Sequence, residues 1–152
     1  MAAFFFDTSA LVKLYHIEAG TPAVDQIVNA ADSRIGISRL TVAEITSAFA
    51  IKVRTQSISR DDAELSLRQF GSDVATGKLQ VFSLGEPEFA TAELLMERYA
   101  FNLRMRTLDA LQLAVALGLQ GQNLMDHLVG ADAILCEIAR LEGVSVINPE
   151  LS

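Results

Sequence analysis

The stretch Phe4-Phe5-Phe6-Asp7-Thr8-Ser9-Ala10-Leu11-Val12-Lys13 decides how this chain is read. Three consecutive aromatic residues suit a strand buried on both faces. The character then changes. Asp7, Thr8 and Ser9 are residues that favour helix starts, and Ala10-Leu11-Val12 continues as a helix. A buried strand therefore turns directly into a helix, with a carboxylate at the junction.

The same alternation runs outward along the chain. Ile35-Gly36-Ile37, Leu79 to Phe82, His127 to Gly130 and Val144 to Ile147 read as further short strands. Helical patterns cover Thr21 to Ala31, Leu40 to Val53, Arg60 to Thr76, Pro87 to Tyr99, Thr107 to Gln120 and Asp132 to Glu142. Pro22 and Pro87 fall at helix starts, where a missing N–H costs little. Short apolar strands alternating with helices predict an α/β fold of three α/β/α layers around a central parallel sheet of four to five strands. No repeat, low-complexity tract or long linker divides the chain, so a single domain over residues 1–152 is expected.

Composition narrows the function. The chain has 152 residues, 51% of them hydrophobic and 20% charged, which excludes disorder as a description of the whole. Twelve Lys plus Arg stand against 19 Asp plus Glu, a formal charge of −7. That balance disfavours a simple basic nucleic-acid binder. The lone Cys136 excludes an internal disulfide and any multi-cysteine metal site, and its apolar neighbours predict a buried, inert thiol. The apolar run at the N-terminus ends at Phe6, too short for a signal peptide, and no stretch is long enough to span a membrane. A cytoplasmic location is the expectation.

In an open parallel sheet, ligands bind beyond the carboxyl ends of the strands. Four acids come after strands or open the next helix: Asp7, Glu44, Asp109 and Asp132. Each has an ordinary alternative. Asp7 and Asp132 suit helix N-caps. Thr41 and Glu44 have capping-box spacing, unless Ser38 is the cap and Glu44 sits deeper, facing the crevice. Asp109 is the only charged residue from Thr107 to Gln120, in a helix apolar nearly all round. The helix dipole offers a first-turn acid about 0.3–1 kcal/mol. Desolvating an unpaired carboxylate costs several kcal/mol, so a partner is needed. Taken together, four carboxylates at the ends of one small sheet would repel one another without a cation among them. Oxygen-only ligands select Mg²⁺ or Mn²⁺. Such ions polarise a phosphoryl oxygen and make water nucleophilic at neutral pH, so hydrolysis of a phosphodiester is the chemistry implied.

The order Asp7-Thr8-Ser9-Ala10-Leu11-Val12-Lys13, Ala43-Glu44, Asp109-Ala110-Leu111-Gln112-Leu113-Ala114 and Ala131-Asp132 resembles a PIN-domain ribonuclease, most of all the VapC toxins of bacterial toxin–antitoxin pairs. The resemblance spans essentially the whole chain, including the closing Gly143-Val144-Ser145-Val146-Ile147-Asn148-Pro149. It implies a Mg²⁺- or Mn²⁺-dependent endoribonuclease, a homodimer, an RNA substrate and inhibition by a small antitoxin protein. By position, Asp7 and Asp109 match the best-defined metal ligands, Glu44 the acid between them and Asp132 the more variable fourth. One departure stands out. The family often carries Ser or Thr shortly before the last acid, where this chain has Gly130-Ala131.

Around that set, Thr8 and Ser9 are candidates to hydrogen-bond a ligand carboxylate or a water on the metal. Arg39, Arg104 and Arg106 are candidates for RNA phosphates, because arginine grips phosphate bidentately. His16 and His127 read as packing or surface residues, and Asn148 as a turn residue. Two other readings compete. A signalling receiver also has acids at strand ends, but it needs a late lysine, and no Lys occurs after Lys78. A catalytically weak PIN-like module that binds RNA or protein is the second, suggested by the missing hydroxyl at Gly130-Ala131.

Overall fold

The structure, a computed structural model, describes residues 2–151. Met1 and Ser152, the ends of the expected domain, lie outside the described residues. The chain runs β1 (Ala3–Phe6), α1 (Thr8–Tyr15), α2 (Thr21–Asn29), β2 (Arg34–Ser38), α3 (Arg39–Arg54), α4 (Arg60–Ala75) and β3 (Leu79–Phe82). It continues α5 (Glu86–Tyr99), α6 (Thr107–Gly121), β4 (His127–Val129), α7 (Ala133–Leu141) and β5 (Val146–Ile147), then a 3₁₀ turn at Pro149–Leu151. No helix is long and apolar enough to cross a membrane among the described residues.

All five strands are parallel, in the order β3-β2-β1-β4-β5. The register sets Phe4 beside Ile35 and Phe5 beside Leu128. Successive strand residues point to opposite faces. Phe5 and Leu128 join a core with α5, α6 and α7 residues such as Leu95, Leu113 and Ile138. Phe6 and Val129 join a second core with α1 to α4, including Leu11, Val24, Ile45 and Phe70. One strand thus feeds both cores, which is why the aromatic run has no polar face. The result is a three-layer α/β/α fold. Each fully buried side chain of this size contributes roughly 1.5–3 kcal/mol.

Gly36 shows how closely a side chain of the neighbouring strand β3 lies over β2. A Cβ there would lie 2.6 Å from the Phe82 ring. Only glycine leaves that ring its place.

Element ends depart slightly from the expected ones. The last strand begins at Val146 rather than Val144, because the Val144 N–H donates to Ala139 O at 3.0 Å and closes α7 instead. Helix α2 stops at Asn29, where Ala30 is already extended. Pro22 and Pro87 open α2 and α5, as their positions predict. The strand order reverses direction at β1: the chain builds outward through β2 and β3, then crosses back to β4. That reversal opens a crevice at the carboxyl ends of β1 and β4.

Candidate active site

Asp7 comes directly after β1. Its N–H donates to Val129 O at 3.0 Å, so the carboxylate stands where β1 meets β4. One oxygen, Oδ1, accepts from the Ala10 N–H at 2.9 Å and caps α1. The Ser9 hydroxyl reaches Oδ1 at 2.7 Å and Oδ2 at 2.9 Å. Ser9 Oγ in turn accepts from the Ala131 N–H at 3.0 Å, which ties α1 to the loop after β4. The Ser9 hydroxyl thus stands beside the Gly130-Ala131 segment, which has none of its own. Asp7 is only 4% exposed. Burial pushes its carboxyl up to about 7, against the pull of Ser9 and the Ala10 N–H, and the charges of Asp132 and Asp109 add to the rise.

Ser38 ends β2 and caps α3, accepting from the Thr41 N–H at 3.4 Å. The capping alternatives are resolved in its favour. Glu44 then lies deeper in α3, three residues beyond Thr41 and on the same face. Its Oε1 accepts from Thr8 Oγ1 at 2.9 Å and from Gln112 Nε2 at 2.9 Å.

Asp109 sits in the first turn of α6. It is half-buried rather than buried, and its partner is Arg106, whose Nε donates to Asp109 Oδ2 at 3.2 Å. Arg106 Nη2 also lies 3.9 Å from Asp132 Oδ2. Asp109, Asp132 and Glu44 together hold the Arg106 guanidinium above its ordinary pKa, Asp109 most strongly. Asp132 caps α7, its Oδ1 accepting from the Leu135 N–H at 2.9 Å. For Asp7 and Asp132, helix capping and a place in the crevice are properties of one carboxylate.

The four carboxylates, Thr8, Ser9, Arg106 and Gln112 line one cleft of about 80 Å³. Arg39 and Arg104 are exposed and do not line it. Gln112 is the residue that sequence reasoning missed. Its signal was present: it is the only polar side chain from Ala110 to Leu119, one turn after Asp109. The histidines, Asn148 and Cys136 lie outside the cleft. His127 stacks on Phe4 with ring centres 5.4 Å apart and bonds Ser145. His16 is the C-cap of α1. Asn148 accepts from the Glu150 N–H in a turn. Cys136 is buried, its Sγ 3.2 Å from Gly130 O, and burial pushes the thiol up to about 11.

The donor chemistry fits a hard divalent ion: the cleft offers carboxylate oxygens and hydroxyls, and no sulfur or imidazole. A buried Asp7 held near neutrality is a carboxylate that gains from an added cation. As the side chains stand, no three acidic, His or Cys side chains among the described residues are gathered tightly enough to chelate one. Glu44 is drawn toward Gln112 and Thr8, while Arg106 leans across Asp109 and Asp132. An ion entering there would require Arg106 to give way.

Comparison with known proteins agrees with this architecture. A search of curated proteins gave no match. Among solved structures, VapC20 of Mycobacterium tuberculosis, described as a Sarcin-Ricin loop cleaving toxin, superposes with a TM-score of 0.68 at 14% identity, covering 96% of this chain and 99% of that one. FitAcB from Neisseria gonorrhoeae gives 0.65 at 16% identity, with 96% and 97% covered. VapBC2 from Rickettsia felis, bound to a DNA fragment from its promoter, gives 0.63 at 16% identity, with 96% and 98% covered. At these identities the likeness is one of fold. The family is fixed by the sequence model of the PIN domain, which matches residues 4–141, and the chain belongs to that family.

Proposed function

We propose that this chain is a Mg²⁺- or Mn²⁺-dependent endoribonuclease, the VapC-type toxin of a toxin–antitoxin pair, acting as a single domain in the cytoplasm. One observation carries the reading. In a PIN fold, four carboxylates from separate elements line one small cleft, and burial raises the pKa of the most enclosed of them, Asp7, to about 7. PIN domains as a family are nucleases. The cleavage named for VapC20 and the antitoxin complexes among the similar structures support an RNA substrate and a small antitoxin partner.

In this reading Asp7, Glu44, Asp109 and Asp132 hold the ion. A divalent ion there supplies Lewis-acid polarisation of a phosphoryl oxygen and acidifies water enough for attack at neutral pH. The protein's own part is placement. Ser9 fixes both oxygens of Asp7, Thr8 fixes Glu44, and the caps of α1 and α7 fix Asp7 and Asp132. Arg106, at the cleft mouth, meets an RNA phosphate once it leaves Asp109. Arg39 and Arg104 serve RNA further out. A homodimer belongs to the reading, and exposed Leu94 and Phe101 offer apolar surface for a second copy to cover.

The test is cleavage of total cellular RNA in Mg²⁺ or Mn²⁺, with and without chelator, and then mapping of new 5′ ends. Asp7→Asn and Asp109→Asn abolish cleavage while the circular dichroism stays native. Near wild-type, metal-dependent cleavage by both variants would sink the proposal. A PIN-like module that binds RNA or protein without cleaving is the second reading, favoured by the ungathered acids and by Arg106 across two of them. It predicts RNA retention or partner capture with no cleavage at any metal concentration.

A further inference from the structure

Gln112 does not belong where it is on packing grounds alone. It is 3% exposed on α6, between buried Leu111 and buried Leu113. Burying an amide is costly unless its hydrogen-bonding groups are met. Methionine fills such a space without that demand. Every group of Gln112 is met, and two of its partners, Thr8 and Glu44, line the cleft.

The protons of this network can be assigned. Ser38 Oγ already accepts from the Thr41 N–H, so its own hydrogen is free to donate to Gln112 Oε1 at 2.9 Å. The Glu44 carboxylate on the other side can only accept, which fixes which end of the amide is which. Nε2 must then face the cleft, where it donates to Thr41 Oγ1 at 2.8 Å and Glu44 Oε1 at 2.9 Å. Thr8 commits its one hydrogen to Glu44 Oε1 at 2.9 Å. The Thr41 hydroxyl is therefore the donor in its 3.0 Å contact with Thr8 Oγ1. All directions converge on Glu44 Oε1, and β2, α1 and α6 all contribute. Glu44 Oε2 takes no bond in this network.

We propose that Gln112 is the positioning residue of the site: with its amide oriented by Ser38, it clamps Glu44 by Oε1 and so presents Oε2 alone to the metal. This inference rests on the metal-nuclease reading above. A clamped single oxygen lowers the ordering cost of bringing Glu44 into a metal site. Outer groups that hold a metal ligand are worth roughly 10–100-fold in affinity.

The test is Mn²⁺ titration calorimetry on metal-stripped protein, with thermal melts alongside. Gln112→Met keeps the volume and removes the clamp. It is expected to weaken Mn²⁺ binding about 10–100-fold and to lose cleavage that returns as Mn²⁺ is raised. Gln112→Glu keeps the shape but sets an acceptor against Glu44, with the same or a larger loss, and stands in should the methionine variant not fold. In a Glu44→Gln background, Gln112→Met adds no further loss, because nothing is left to clamp. Wild-type Mn²⁺ affinity in both Gln112 variants overturns the inference, as does an equal loss with and without Glu44. If Asp7→Asn and Asp109→Asn also leave Mn²⁺ affinity unchanged, the metal-nuclease reading falls and takes the inference with it.

Discussion

A Cβ on Gly130 would stand 3.2 Å from Asp7 Oδ2 and 3.3 Å from its Cγ. The backbone on both sides is held, with the Asp7 N–H on Val129 O and the Gly130 N–H on Ile147 O, both at 3.0 Å. The strain then falls on the Asp7 carboxylate, which must shift by a few tenths of an ångström against its bonds to Ser9 and Ala10. Gly130→Ala is therefore expected to fold, at a cost of about 1–3 kcal/mol for crowding, and to displace Asp7. Misplacing a reacting group by about 1 Å can cost on the order of 100-fold in rate. The check is the RNA cleavage rate beside the melting temperature. A fall confined to cleavage supports the assignment; unchanged cleavage refutes a role for the Asp7 position.

Asp7 also sets a pH dependence whose sign can be worked out. Its carboxyl rises from an ordinary 3.8 to about 7 on folding, because burial disfavours the charge. Between those values the native state holds a proton that the unfolded chain releases. Stability without metal therefore falls as pH rises through that window and is lowest above it. At about 1.4 kcal/mol per pKa unit, the full cost is on the order of 4 kcal/mol. Asparagine caps helices as well as aspartate and carries no charge. Asp7→Asn is expected to melt higher than wild type at pH 8 in chelator, and at the same temperature by pH 4. Equal melting at pH 8 would show that Asp7 carries no such penalty.

Arg106 is 72% exposed at its side chain, so its ion pairs contribute little to stability. Their consequence lies in competition. The guanidinium occupies the field of Asp109 and Asp132 that a metal ion would enter. Arg106→Gln is expected to leave the melting temperature within a degree or two, tighten Mn²⁺ binding a few-fold and raise the KM for RNA. Calorimetry and steady-state cleavage read the two effects separately. Weaker metal binding would show that Arg106 supports the acids rather than competing for them.

Much of this architecture is legible in the residues, for physical reasons. Phe4-Phe5-Phe6 has no polar face because its side chains alternate between two cores. The four acids stand out once the strand ends are located, since those ends converge on one edge of a parallel sheet. Glu44 is ambiguous in the sequence because Ser38 and Thr41 both suit a cap, and only the end of β2 decides between them. Gln112 escapes notice because it is neutral, and an amide in an apolar helix looks like an exception rather than a hub. Arg106 reads as a phosphate contact, and its three-residue spacing from Asp109 also places it against that acid.

Far from the cleft, Tyr15 and Asp73 provide a contrast that separates stability from activity. The Tyr15 hydroxyl donates to Asp73 Oδ2 at 2.6 Å, and Gln69 Nε2 donates to Oδ1 at 3.0 Å. Asp73 is 5% exposed, so these bonds are what make its burial tolerable. Burial and the neighbouring carboxylate hold the Tyr15 phenol well above its ordinary pKa, and it remains a donor throughout the working range. Tyr15→Phe removes that donor and leaves a buried carboxylate oxygen unmet. A bond to a charged group is worth about 1.5–3 kcal/mol, and a loss of that size is expected in denaturant unfolding. Ser66, which donates to Tyr15 O, still holds the backbone of α1, so the cleft keeps its shape. Metal affinity and cleavage per folded molecule are therefore expected to stay at wild-type values. A fall in either would show that α4 communicates with the carboxylates through α1.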